Sequence, residues 1–438
     1  MSGPKVVRIV TREEILEICR GHLARVDAAL EEWTRVGRRN ECIDEDALAI
    51  ATRRRDALAA LIAADRFMDV QKQAPIEEEF LRADMQRRLA AVVAEQAAAR
   101  SKERRDRDAA ASLLRRLREL EIPLEPELTS KLERGDAQAL TTGFAMLADV
   151  AVEKRAAHGL AASLKDNSPA QTFADWLASQ PAGPADPATE KIAARLDELD
   201  TIGEVDTANA RMRLEEAASA APSRRKLLLD GLEVETGRGL TEARLRASLR
   251  GELLLLRAEL SAAGGIVSEG SVDGLNAATL EAEIASVRAA IEELRAKRAA
   301  AARRLAVLEG LASLGYEVAE GMSTSLATDG RLVLRSAARP DYGVEVSAVA
   351  GAERMQMRPV AFEAGGIGPD PSRDRDAETI WCGDVSTLQD ALASAGGGLV
   401  IERSLPVGAT PLKRVGVERP GGATSGAEAP VRRERTLR

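Results

Sequence analysis

The chain has 438 residues, with 62 Lys and Arg against 70 Asp and Glu, for a formal charge of −8 at neutral pH. Apolar residues make up 45% and charged residues 30%, but aromatics only 2%; aliphatic rather than aromatic side chains must therefore supply the buried area, which is the composition of long helices and coiled coils. The scattered cysteines Cys19, Cys42 and Cys382 argue against a disulfide framework or a zinc site, and His22 and His158 leave metal catalysis little to work with.

No stretch reaches the ~20 apolar residues that span a bilayer, and the first residues lack the apolar core of a signal peptide. A cytoplasmic protein with no membrane contact and no cofactor is expected. The acidic balance gives no overall bias toward nucleic acid, although a local basic patch remains compatible with it.

Residues 5–10, KVVRIV, read as a short strand because most are β-branched. Thr11-Arg-Glu-Glu14 matches a capping box, so a helix should start at Arg12 and run to about Val36. A second helix is expected over 44–73, ending before Pro75, which makes 1–75 a strand followed by a helical hairpin. Residues 76–121 contain no breaker and predict a helix of ~70 Å at 1.5 Å per residue. Its middle holds Arg100-Ser-Lys-Glu-Arg-Arg-Asp-Arg-Asp108, a solvated face or coiled-coil flank whose other reading is contact with nucleic-acid backbone. Shorter helical segments complete 76–178, and the proline-rich 179–187 is a linker.

The 188–314 region is the most regular. Leu280, Ile284, Val287, Ile291, Leu294, Arg298, Ala301, Leu305 and Leu308 alternate by four and three, as in a heptad seam. Arg298 must turn its charge to the rim. Leu249, Leu253, Leu256 and Leu260 repeat the spacing upstream, across a Gly-rich connection. An antiparallel coiled-coil hairpin is the simplest reading; a parallel dimer is the rival. Gly237 and Gly239 could kink the first arm.

Beyond Gly315 the pattern turns to strands, at 316–319, 325–327, 331–336, 342–349 and 355–362, with Asp329-Gly330 as a hairpin turn. A helix over 384–395, capped by Gly396-Gly-Gly398, leads to a last strand at 399–405. Residues 315–417 thus form a small α+β domain with Trp381 as its core anchor, and 418–438 a disordered tail. The fold class is mainly α, an elongated helical or coiled-coil protein carrying that domain.

Motifs for chemistry are sparse. The loop from Gly265 to Ser271 lacks a phosphate-loop lysine. Asp341 and Glu345 loosely suggest a paired-carboxylate metal nuclease, but Ser347 stands where an assisting lysine belongs. Cys382 has no base nearby in sequence. No catalytic, cofactor-binding or metal site is assigned. The expected function is a non-catalytic scaffold or adaptor that spaces and docks protein partners, including a homodimer partner or a separate ATPase, through its C-terminal domain. The alternative is a nucleic-acid-associated accessory factor of such an ATPase. The 5–10 strand needs a distant mate, either the C-terminal sheet, at its edge, or a partner.

Overall fold

The computed structural model describes residues 4–157, 172–179, 186–268, 270–348, 354–363 and 370–416. The chain is mainly α, with a small α+β unit at the C-terminal end. His158, most of the 179–187 linker, part of the preceding helical segment and the 418–438 tail lie outside the described residues.

Strand β1 (Lys5–Val10) passes directly into α1 (Arg12–Arg39). The Thr11 hydroxyl accepts from the Glu14 amide at 3.3 Å, as the capping box predicts. The Glu14 carboxylate does not close the box; it pairs with Arg303 instead.

α2 (Glu45–Ala63) ends ten residues earlier than its pattern suggests, and α3 (Phe67–Glu119) continues straight through Pro75. The break falls at 64–66, where Asp65 adopts a left-handed conformation (φ 55°) and the Arg66 amide reaches back to Leu61 O. An interior proline costs a helix about 3 kcal/mol. Burial of Phe67, Val70 and Ala74 in one cluster with Cys19 and Val26 of α1 offsets that cost. At 53 residues α3 is a rod of about 80 Å.

The far end of α3 packs with α4 (Pro126–Glu133), α5 (Ala137–Ala157) and α6 (Phe173–Ser179). Leu113, Leu117, Leu132 and Leu140 form this cluster, closed by Phe144, Phe173 and Trp176. A second cluster joins α7 (Pro187–Ile202), α8 (Ala208–Ser219) and the first half of α9 (Pro222–Ala262). Gly237 and Gly239 do not break α9; the missing side chain at Gly237 leaves room for Arg195, which donates to Glu233 O at 2.7 Å.

α9 and α10 (Ala277–Ser313) build only the first half of the expected seam, with Leu249, Leu253, Leu256 and Leu260 in one cluster with Leu280, Ile284, Val287 and Ile291; beyond it Leu305 is 51% exposed and Leu308 packs beneath the sheet instead. The antiparallel hairpin is nevertheless replaced by a parallel pair within one chain. Glu252 meets Arg288 and Glu259 meets Arg295, so partner numbers rise together. α1 runs opposite to both helices: Arg25 and Glu32 meet Glu259 and Arg250 on α9, and Glu14 and Glu17 meet Arg303 and Arg298 on α10. The 263–276 connection doubles back along α9, where Arg257 donates to Gly270 O at 2.8 Å and Arg250 lies 3.7 Å from Asp273. Arg298 escapes to the rim and pairs with Glu17, as its charge requires.

In the small domain, residues 322–329 form a helix, α11 (Met322–Asp329), rather than a strand, and Asp329-Gly330 is its C-cap, with Gly330 at φ 66°. Tyr316 contributes one isolated bridge to Ser336. Then follow β2 (Arg331–Arg335), β3 (Tyr342–Ala348), β4 (Arg354–Glu363), α12 (Pro371–Ser394), β5 (Gly398–Ser404) and β6 (Lys413–Gly416). α12 is twice the expected length because Asp370 caps it upstream.

The sheet order is β2-β3-β4-β1-β5, antiparallel throughout, with β6 parallel to β4 beyond the end of β1. The N-terminal strand is therefore interior to the C-terminal sheet, hydrogen-bonded on both sides, and not at an edge or on a partner. Val7, Ile9, Val344, Met357 and Leu399 turn one face toward Trp381, Val385 and Leu388 of α12 and toward Val307, Leu308 and Leu311 of α10. This shared core fastens the sheet to the helical body.

Candidate functional site

Asp341 and Glu345, the carboxylates singled out by sequence, are each engaged by basic side chains. Asp341 lies 3.7 Å from Arg373 at the start of α12. Glu345 is buried on β3 (3% exposed) and is held by Arg331, Arg358 and Lys413 at 2.7, 2.9 and 3.0 Å. Burial alone would raise its carboxyl; hydrogen bonds from Arg358 and Lys413 outweigh that and hold it below the ordinary value. Ser347 donates toward Gln356 O. The two carboxylates thus serve different cations. Among the described residues, no group of three or more His, Cys, Asp or Glu could hold a metal ion.

His22 sits where α1, α9 and α10 meet, and its imidazole is pushed below its ordinary value by burial, aided by Arg295 and Arg25 and opposed by Glu259 and Glu78. The Cys19 thiol, raised by burial, donates to Phe67 O at 3.6 Å. Cys382 accepts from the Lys5 ammonium at 3.6 Å. Trp381 is 1% exposed and meets Tyr316 edge-on, an anchor of the small domain. The basic run of α3 is divided: Arg100 pairs with Asp197 and Arg104 with Glu190 on α7, while Lys102, Glu103, Arg107 and Asp108 stay exposed as the solvated face expected of them.

A recess of about 920 Å³ opens between α1, α3, α7 and α9. Its floor is apolar, with Trp33, Leu81, Met85, Val93 and Leu255. Rim charges such as Arg25 with Glu78, Arg244 with Glu198 and Arg250 with Glu204 are already matched, so little is left to orient a polar ligand.

The sheet offers two further surfaces. β5 ends the strand order. Gln389 donates to the Leu399 carbonyl at 3.0 Å; past it, Val400 and Ile401 are 54% and 37% exposed, with exposed Leu405 and Val407 close by in sequence. The second is the face turned away from α10 and α12. Arg331 and Arg358 meet on Glu345, Arg8 and Arg354 meet on Glu402, and Arg335 covers the Phe362 ring at 4.6 Å. Sequence reading missed this row because its residues come from strands far apart in the chain. The period-two spacing of Arg354, Gln356 and Arg358 was its one local signal; adjacency to Arg8 required knowing where β1 inserts.

No protein-family model matches the chain, and neither a curated protein nor a solved structure shows significant similarity to it.

Proposed function

We propose that the chain is a non-catalytic adaptor of the cytoplasm that holds a protein partner at a fixed distance from its helical body, docking it on the β5 edge, the last in the strand order among the described residues. The partner's contribution is an extended segment of alternating apolar residues that adds a strand to the sheet. The observation that carries this reading is the outermost position of β5 combined with exposure of Val400 and Ile401. Exposed apolar sheet edges are a liability that proteins usually cover or charge; Glu402 and Arg403 alone interrupt this one. A separate ATPase is one partner of this kind. The shared core of α10, α12 and β1 supports rigid attachment of the edge to the helices.

A photo-crosslinking side chain at Ile401 of the full chain tests this. The expected result is a discrete adduct with another protein that maps to one extended segment and is lost on Val400→Lys with thermal stability unchanged, since exposed substitutions usually shift stability by under about 0.5 kcal/mol. An adduct with a second copy of this chain would instead make the edge a homodimer interface. Adducts no more frequent than from exposed Met212 of α8 would remove the reading.

A further inference from the structure

We propose that the open face of the sheet binds the phosphate backbone of a single-stranded nucleic acid. The chain as a whole is acidic, yet this face gathers Arg8, Arg331, Arg335, Arg354, Arg358 and Lys413, against which the carboxylates paired into it are Glu345 and Glu402. Arg403 joins them by register, opposite Val6 on β1, and is exposed.

Glu345 is too buried to offset the field outside. With a side-chain exposure of 3% it lies beneath its cations, whose own side chains are 32% to 47% exposed. Glu402 is shared between Arg8 and Arg354, whose side chains are 52% and 68% exposed. The surplus is thus positive, fixed on a rigid sheet and made mostly of guanidinium groups, which grip phosphate oxygens in pairs.

Strand geometry sets the spacing. Alternate residues along a strand stand about 6.7 Å apart and neighbouring strands about 4.8 Å apart, so the cations form a two-dimensional lattice that can follow a flexible backbone. The helices packed on the sheet, α10, α11 and α12, lie against its opposite face, so none of them is presented here to a duplex groove. Phe362, already under Arg335, offers one aromatic plane beside the charges. These features favour a single strand held by its phosphates with little sequence preference. The surface borders the β5 edge, sharing Arg403 with that strand and lying beside Val400, but oligonucleotide binding here and a protein crosslink at Ile401 are separate readouts, so either proposal can fail without the other.

The test is fluorescence anisotropy of a labelled 30-nucleotide oligo-dT with the full chain across 50 to 200 mM salt. Wild type should bind with log K falling linearly in log salt. Arg8→Gln/Arg354→Gln/Arg403→Gln should weaken binding at least tenfold and flatten the slope by about 2, roughly 0.7 for each lost phosphate contact. Its circular dichroism and melting should match wild type, because Arg8, Arg354 and Arg403 are exposed. Lys102→Gln/Arg107→Gln on α3 should bind like wild type. The proposal is overturned by salt-independent or absent binding, by loss of binding in the α3 variant instead, by tighter binding of a duplex of equal length, or by polyglutamate displacing the strand at equal charge.

Discussion

Glu345 shows how a single side chain on this sheet combines stability with surface charge. Its carboxyl is depressed below the ordinary 4.5, so the unfolded state takes up the proton first. Its contribution is therefore complete above pH 4.5 and is lost as the pH falls through the depressed value. Glu345→Gln should cost about 1–3 kcal/mol at pH 7, toward the lower end because Arg331, Arg358 and Lys413 remain partly solvated. Denaturant unfolding of both proteins at pH 7 and pH 4 checks this: the gap should narrow on acidification, and a constant gap would refute the assignment. At this scale the sequence was partly legible. Thr11 as a cap, Trp381 as an anchor and Arg298 at the rim could be read from local pattern. The partners of Glu345 could not, because Arg331, Arg358 and Lys413 come from three other strands.

Among the elements, β1 carries the greatest consequence. It is interior to the sheet, with Val7 and Ile9 fully buried. Removing residues 1–10 deletes two ladders and two buried side chains worth about 1.5–3 kcal/mol each, a loss comparable to the 5–15 kcal/mol that stabilises a typical domain. The near-UV circular dichroism of Trp381 and Tyr316 should vanish while most far-UV helical signal survives; an unchanged near-UV spectrum would contradict the topology.

Element ends were the least legible feature. Turns at Glu41, Asp65 and Glu121 place acidic residues where glycine is the usual marker, and Pro75 advertises a break that tertiary burial overrides. The direction of α9 against α10 was undecidable for a different reason. Leu249, Leu253, Leu256, Leu260 and Leu280, Ile284, Val287, Ile291 both step by four, three and four, a palindromic spacing that matches in either sense. Ion pairs with α1, distant in sequence, settle it.

At the scale of the whole molecule, aliphatic clusters follow one another along the helices, from Leu113 and Leu140 at the far end of α3 to Val307 and Leu311 beneath the sheet. The N-terminal strand and the end of α10 both enter that last core. A docked partner would then be held in fixed relation to the helical body, which a spacer requires. Among the described residues, no helix is long and apolar enough to cross a membrane. The most direct test of fixed spacing is a pulsed electron-spin distance measurement between labels at Ser112 on α3 and Ser386 on α12, both exposed, with Cys42 and Cys382 replaced by serine. One narrow distance population, unchanged between 50 and 500 mM salt, is the result this account requires. A broad or two-peaked distribution would show the sheet swinging free of the helices and would contradict the spacer.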